Sequence, residues 1–413
     1  MVHHGRVAGA RTALRAWLVA APVFVACSAV PSGGLGRERG YVDVDLYGRY
    51  AEGLLHGRIP YRDVFVEYPP GAFVALMPPA FITDEHYRSA FKALMAIVAL
   101  GGLWCVARLL VELGAGPQRL TLALGFLAVS PLMLGSVWLN SYDVWPAVLS
   151  VAALLALVFG FVALAFVFLG LAFAAKVYAI VLVVPAALYV ASHRGMRAAI
   201  RGSAAFAIAA ALVVTPFAAA SPGGVWSSIR SQAERGLHIE SLGASLLLVA
   251  DRLGLYDVTV TAGSTAAKSR DLAGPAPDAL AFISTLLLAA AITAVWVAFA
   301  RSTRDAQQLA TAFAAGVAAV LAFSKVLSPQ YGEWLLFLCP LAAGAGGVAA
   351  AALAAAAFVL ANLWFHHYSH LYDVDGVVWL VLLRNAALVA CYGVLLAALL
   401  RGSRRSGGSV PSR

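Results

Sequence analysis

Residues 41–81 read YVDVDLYGRYAEGLLHGRIPYRDVFVEYPPGAFVALMPPAF. The stretch gathers Asp43, Asp45, Glu52, Asp63 and Glu67 with Arg49, Arg58 and Arg62, in a chain otherwise built of Ala, Leu and Val. It also carries Tyr68-Pro69-Pro70-Gly71 and a second Pro-Pro. A polar island of this kind between long apolar runs is a loop between membrane spans, and it is where chemistry is expected.

The surrounding composition fits that setting. The 413 residues are 62% hydrophobic and 12% charged, with a mean hydropathy of +0.85. Soluble domains carry about 25% charged residues, so this chain is an all-α polytopic membrane protein. The net charge of +9 does not indicate nucleic acid, because the basic residues lie in short clusters between apolar segments. Cys27, Cys105, Cys339 and Cys391 lie in apolar segments without metal-ligand spacing, which argues against a disulfide framework or a zinc site.

Residues 13–30 follow Arg6, Arg11 and Arg15 in the manner of a signal peptide, but without an A-x-A site they read as an uncleaved first helix. Beyond residue 90, apolar segments run at about 91–111, 118–138, 143–157, 158–175, 177–192, 198–218, 279–300, 307–324, 331–344, 346–364 and 377–400. This predicts about twelve transmembrane helices (ten to thirteen). A span needs about 20 residues, so those between 143 and 192 must be kinked or broken.

With the N-terminus in the cytoplasm, alternate connections (1–15, 108–119, 193–201, 301–305 and 401–413) hold 14 of the 29 basic residues and only Glu112 and Asp305 of the 20 acidic ones. That excess is the positive-inside pattern, and it places both termini in the cytoplasm. One transmembrane domain, 1–413, then has two large outer pieces, 31–90 and 219–278, a short histidine loop near 364–376, and a basic cytoplasmic tail, 401–413.

Within 31–90, Leu46, Tyr50 and Leu54 recur at helical spacing, with Tyr47 beside them. This predicts a surface helix over 43–57, ended by Gly57 and Pro60. The prolines of Tyr68-Pro69-Pro70-Gly71 break the chain before Ala72–Phe81, a run too short to span and therefore re-entrant or interfacial.

Ionisable groups also interrupt the apolar runs: Asp143, Lys176, Lys325, Glu333 and Arg384. Such groups are costly in a bilayer and usually face a cavity. Lys176 is alone for more than fifteen residues on either side. It is either a snorkelling lysine or a cation facing an anionic ligand. Asp43, Asp63, Glu67, Lys176, Arg235, Glu240, Lys325, Gln330 and the His366–His370 cluster come from five parts of the chain, and the topology puts all of them at the outer face. Carboxylates mixed with cations at one membrane surface suit a phosphate-bearing substrate and a reaction that needs a base.

These motifs resemble those of a known family. Asp43-Val-Asp45-Leu-Tyr47, Gly57-Arg-Ile-Pro60-Tyr61-Arg62-Asp63 and Glu67-Tyr68-Pro69-Pro70-Gly71 look like the first outer loop of polytopic GT-C glycosyltransferases. They are most like glycosyltransferase family 87, the polyprenyl-phosphate-mannose-dependent α-mannosyltransferases. Lys176-Val-Tyr178 with Pro185, Arg235 through Glu240-Ser241, and Ser324-Lys325 through Ser328-Pro329-Gln330-Tyr331 are similar to later family motifs in the same order.

The resemblance implies a GT-C-type fold and an inverting transfer, without metal or other cofactor, from a polyprenyl-phosphate sugar (a mannose in that family) to a cell-envelope glycolipid or glycan. The site would face the outside of the cytoplasmic membrane. A first-loop aspartate would act as general base; Asp43 matches it, and Asp45 competes. Asp63, Glu67, Tyr68 and Glu240 would serve the acceptor or the loop. Lys176, Arg235, Lys325, Gln330 and Tyr331 would hold the donor phosphate. His366 and His367 are further outer-face candidates. The alternatives are a flippase or transporter of lipid-linked sugars without transferase activity, and an arabinofuranosyl- or protein-O-mannosyltransferase of the same fold.

Overall fold

The computed structural model describes residues 2–32, 43–83, 85–262, 269–371 and 373–406. Tyr41 and Val42 of the opening stretch, and the end of the basic tail, lie outside the described residues. The protein is all-α apart from one small sheet. Nine of the described helices are long and apolar enough to cross a membrane: α1 (Val2–Ser32), α4 (Tyr87–Glu112), α5 (Pro117–Leu134), α8 (Ile180–Arg194, continuous with the 3-10 turn Val177–Ala179 before it), α9 (Met196–Ala220), α12 (Pro275–Ala300), α13 (Ala306–Phe323), α15 (Gly344–Phe365) and α16 (Val377–Ser406). Between them lie α2 (Asp43–Leu55), α3 (Phe73–Ile82), α6 (Val144–Phe159), α7 (Val162–Ala175), α10 (Pro222–Ala233), α11 (Leu242–Arg252) and α14 (Gly332–Leu336).

Contacts between helix ends sort the turns into two sets. At one end Gly9 meets Val111 and Glu112, and Gly160 meets the Arg194 guanidinium. There Arg108 also covers the Phe159 ring, Arg119 donates to Gln307 and to the Leu341 carbonyl, and Gly402 meets Gln308. At the other end Trp138 donates to Ser28, Asp143 pairs with Lys176, Ser221 donates to Tyr61 and Arg384 pairs with Glu240. We call these the basic end and the loop end. Both α1 and α16 have their terminal sides at the basic end.

The short helices α6 and α7 also run between the two ends, and so does the broken stretch 329–343, which reaches from Trp334 beside Asp143 to Leu341 beside Arg119. With the nine long helices, these three make the twelve passages expected. The sequence places 143–192 in short or broken spans, and the arms of 16 and 14 residues are the physical form of that.

The first loop forms the expected surface helix, α2, which stops at Leu55 ahead of left-handed Gly57 (φ 81°). Its buried face is Val44, Tyr47, Tyr50 and Ala51. Leu46 and Leu54 sit at the edge of that contact, packed on Tyr50, Tyr61 and Phe73. The expected apolar stripe is therefore rotated toward Tyr47, because the aromatic rings of Tyr68, Phe91 and Tyr142 lie there.

Tyr68-Pro69-Pro70-Gly71 then turns through one 3-10 turn into α3. Gly71 lies directly on the end of α7: a Cβ there would stand 2.4 Å from the Ala174 carbonyl carbon and 2.5 Å from the Ala175 nitrogen. Only a residue without a side chain lets the loop approach this closely. The second outer piece holds the first in place. On α10, Ser221 donates to the Tyr61 carbonyl and Ser228 to that of Val66, at 3.1 and 2.7 Å, and Gln232 to that of Glu67 at 3.2 Å. Past α10 lies the small antiparallel sheet, β1 (Leu237–His238), β2 (Thr259–Ala262) and β3 (Arg270–Ala273), in the order β1-β3-β2.

Replacing Gly71 by Val forces the loop off α7 and is expected to destabilise the protein by about 1–3 kcal/mol, the usual cost of overpacking. A lowered unfolding midpoint of the purified protein in detergent, with Gly101→Ala affected less because a Cβ there meets nothing within 4 Å, is the check.

Candidate active site at the loop end

The site begins with the α6–α7 hairpin. The residue before its first arm and the residue after its second come together, and these are Asp143 and Lys176. Lys176 Nζ lies 3.0 Å from Asp143 Oδ1, with the lysine side chain 11% exposed and the aspartate fully buried. Lys176 itself is extended (φ −151°) and separates α7 from α8.

Four rings surround its ammonium, with centroids at 4.8 Å (Tyr142), 5.0 Å (Tyr331), 5.7 Å (Tyr68) and 5.7 Å (Trp334). Cation–π attraction at this range strengthens when the cation is desolvated. Trp334 Nε1 donates to Asp143 Oδ1 at 2.7 Å, and Ser141 Oγ donates to Oδ2. Tyr331, Trp334 and Tyr178 stack in one ladder, with neighbouring centroids 4.1 and 4.2 Å apart. Glu333 is fully buried in the same layer, and neither carboxylate oxygen has a partner among the described residues.

Asp43 and Asp45 have different surroundings. Asp43, the first residue of α2, accepts a hydrogen bond from the Tyr68 hydroxyl at 3.3 Å, and the Tyr68 ring also borders Lys176. Asp45 is exposed and grips Arg88 through both oxygens, at 2.7 and 2.8 Å. Two residues along a helix differ by about 200° in direction, so one carboxylate faces the aromatic layer and the other faces away.

A second cluster lies where the sheet meets the 324–331 segment. Lys325 Nζ donates to the Ala233 carbonyl, and its own carbonyl accepts from the His238 backbone, both at 2.9 Å. Arg235 is buried, and its Nε has no partner among the described residues. Glu240 is buried beside Arg384, whose guanidinium donates to the Glu240 main-chain oxygen at 2.7 Å but stays 3.8 Å from the carboxylate. Burial therefore outweighs the two arginines and pushes the Glu240 carboxyl from its ordinary 4.5 up to about 8, with Arg384 and Arg235 opposing. Burial likewise lowers the Lys325 ammonium, with Asp271 opposing and Arg235 adding to the shift.

The expected site residues thus fall into three groups. Asp43, Tyr68, Lys176 and Tyr331 come together; Arg235, Glu240 and Lys325 come together; Gln330, which accepts from Ser328, lies on the segment joining the two. Glu67 is buried where its carbonyl meets α10.

Asp63 does not join either cluster. It faces solvent, caps the Ile59 nitrogen at 2.8 Å and pairs with Arg62, which holds its carboxyl down at about 2. His366 and His367 are exposed past the end of α15, with His367 against the His370 ring. Lys176 is paired with Asp143 and enclosed by four rings, a partner that the expected role toward a donor phosphate did not include. Tyr142, Trp334 and the pairing role of Asp143 escaped the sequence reading, as did Arg384 beside Glu240.

A family model for the GPI transamidase subunit PIG-U matches residues 60–242. The match takes in Lys176, Arg235 and Glu240 and stops short of Asp43 and the 324–331 segment. No curated protein matches the chain.

Breaking the buried pair exposes its importance. Asp143→Asn leaves an uncompensated buried ammonium and is expected to cost about 3–5 kcal/mol. Asp143→Asn with Lys176→Met should recover most of that, read as unfolding midpoints of the two proteins. Glu240 gives a pH signature. The folded state keeps a proton there that the unfolded chain releases near 4.5, so its contribution is full below that pH and is lost as pH rises through about 8. Stability should fall between about pH 4.5 and 8, and Glu240→Gln should flatten that part of the profile.

Proposed function

We propose that the chain is a single GT-C-type transmembrane glycosyltransferase. It takes a sugar, mannose by the family resemblance, from a polyprenyl-phosphate donor and passes it with inversion to a cell-envelope glycolipid or glycan. The observation that carries this reading is the divergence of the two first-loop aspartates. Asp43 is turned into the aromatic layer under Tyr68, whereas Asp45 is bound outward by Arg88. A base must be aimed at the acceptor hydroxyl, and Asp43 is the carboxylate so placed.

In this mechanism Asp43 takes the acceptor proton as the hydroxyl oxygen attacks the anomeric carbon. The bond from that carbon to the phosphate oxygen breaks, and the lipid phosphate departs with the electron pair. Arg235, with its buried and unpartnered Nε, and Lys325 beside it would meet the growing charge on that phosphate. Gln330 and Tyr331 line the path between, and Lys176, balanced by Asp143, would shape the pocket more than neutralise the phosphate. Tyr68, Glu67 and Glu240 would order the acceptor side. With the basic end toward the cytoplasm, which the distribution of basic residues favours, this site would face the outer surface of the cytoplasmic membrane.

The match to the GPI transamidase subunit PIG-U over 60–242 favours a second reading. In it, the chain handles a glycolipid at the same site without transferring a sugar itself, as a subunit or a transporter. Both readings share a lipid-linked glycan at the loop end.

Transfer of radiolabelled sugar from polyprenyl-phosphate mannose by purified full-length protein separates them. Asp43→Asn should lower transfer by about 10²–10⁴-fold, the usual worth of a general base, while donor binding persists and Asp45→Asn stays near normal. Undiminished transfer by Asp43→Asn would remove the assignment of the base. Purified protein that moves lipid-linked sugar across liposomes without ever transferring it belongs to the second reading.

A further inference from the structure

A groove of about 550 Å³ opens at the basic end, on the side away from the candidate active site. One wall is α5, through Leu122 and Phe126, and the other is α15, through Val348, Ala351 and Ala355. Leu122 and Val348 are 56% and 61% exposed, so the groove faces the surroundings of the bundle, which over these spans is lipid.

Its shape is informative. Along α15 it runs from Gly344 to Ala355, about 17 Å at helical rise. That is roughly half of a hydrocarbon core about 30 Å thick, and it stops there although α15 continues to Phe365. A partner helix would use the whole face. A chain belonging to one leaflet ends where this groove ends.

The polar lining is confined to the mouth, at Gln118 and Arg119. One nitrogen of Arg119, Nη2, is fixed by the Gln307 side chain at 3.0 Å and the Leu341 carbonyl at 2.6 Å. Its Nε is buried without a partner, and no carboxylate pairs with the guanidinium among the described residues. A fixed, uncompensated cation above an apolar slot one leaflet deep calls for an anionic head and a single hydrocarbon chain.

We infer that the α5–α15 groove is a binding site for an anionic phospholipid of the leaflet at the basic end, with one acyl chain in the groove and its phosphate at Arg119. By the distribution of basic residues that leaflet faces the cytoplasm. The site is separate from the sugar-transfer reading and stands whether or not that reading holds.

The test uses full-length protein in nanodiscs of phosphatidylcholine with phosphatidylglycerol, followed by native mass spectrometry of the released protein. Wild type should retain one phosphatidylglycerol in preference to phosphatidylcholine. Ala351→Phe, which fills the groove from the lipid side, should lower that retention about 10-fold, whereas Ala349→Phe, exposed on the same helix outside the groove, should not. Arg119→Gln should remove the preference for the anionic head. Equal retention by Ala351→Phe and wild type, or equal retention of the two lipids by wild type, overturns the site. A wild-type dimer that Ala351→Phe dissociates would instead make this face an interface between copies of the chain.

Discussion

A buried ammonium must have a counter-charge, and the loop end of this protein is arranged around that requirement. Lys176 and Asp143 stand 3.0 Å apart with almost no access to water. Such a pair is tolerated only when the geometry is good and the remaining hydrogen-bonding capacity is used. Both conditions are met by neighbours from other parts of the chain. Trp334 and Ser141 fill the carboxylate, and four aromatic faces surround the ammonium. The broken passage 329–343 supplies two of these faces. The irregular backbone is confined to protein surroundings, as it must be within a membrane.

The first loop is then fitted onto this layer by contacts of its main chain. The carbonyls of Tyr61, Val66, Glu67 and Tyr68 are each taken by a side chain, from Ser221, Ser228, Gln232 and Tyr61 respectively. Gly71 closes the distance to α7. Between these fixed points the Tyr68 side chain has one place to go, and it reaches from the lysine layer to Asp43. The orientation of the candidate base is thus inherited from the buried pair through one tyrosine.

Much of this architecture was legible in the sequence, and the reasons differ by element. The spans and the shared side of the two termini follow from hydropathy and from the placing of arginines, because lipid leaves few alternatives. Helix α2 followed from a 3.6-residue repeat ending in glycine. The partner of Lys176 could have been read too. Arms of similar length in a helical hairpin bring the residue before the first and the residue after the second to one end, and here those residues are an acid and a base. What escaped were Tyr142, Trp334 and the pairing of Arg384 with Glu240, since an aromatic in an apolar run, or the partner of a lone arginine there, carries no address. Asp63, expected to serve the acceptor or the loop, pairs with Arg62 and caps its own turn at Ile59, and the histidines, expected at the outer face, are exposed past the end of α15.

The segment from Ser324 to Tyr331 joins the two clusters physically. Its Lys325 backbone is hydrogen-bonded into the sheet cluster through His238, and six residues later its Tyr331 ring faces Lys176. Pro329 opens the 3-10 turn at that point, so the chain does not continue α13 as a helix. Had it done so, about 9 Å of helical rise would have carried Tyr331 along the axis of α13 and out of the aromatic layer. An extended strap with fixed ends instead keeps the cations of one cluster and the carboxylate-facing rings of the other in a constant relation. The proposed transfer would need that constancy, because the acceptor hydroxyl held by the base and the departing phosphate oxygen stand on opposite sides of one anomeric carbon.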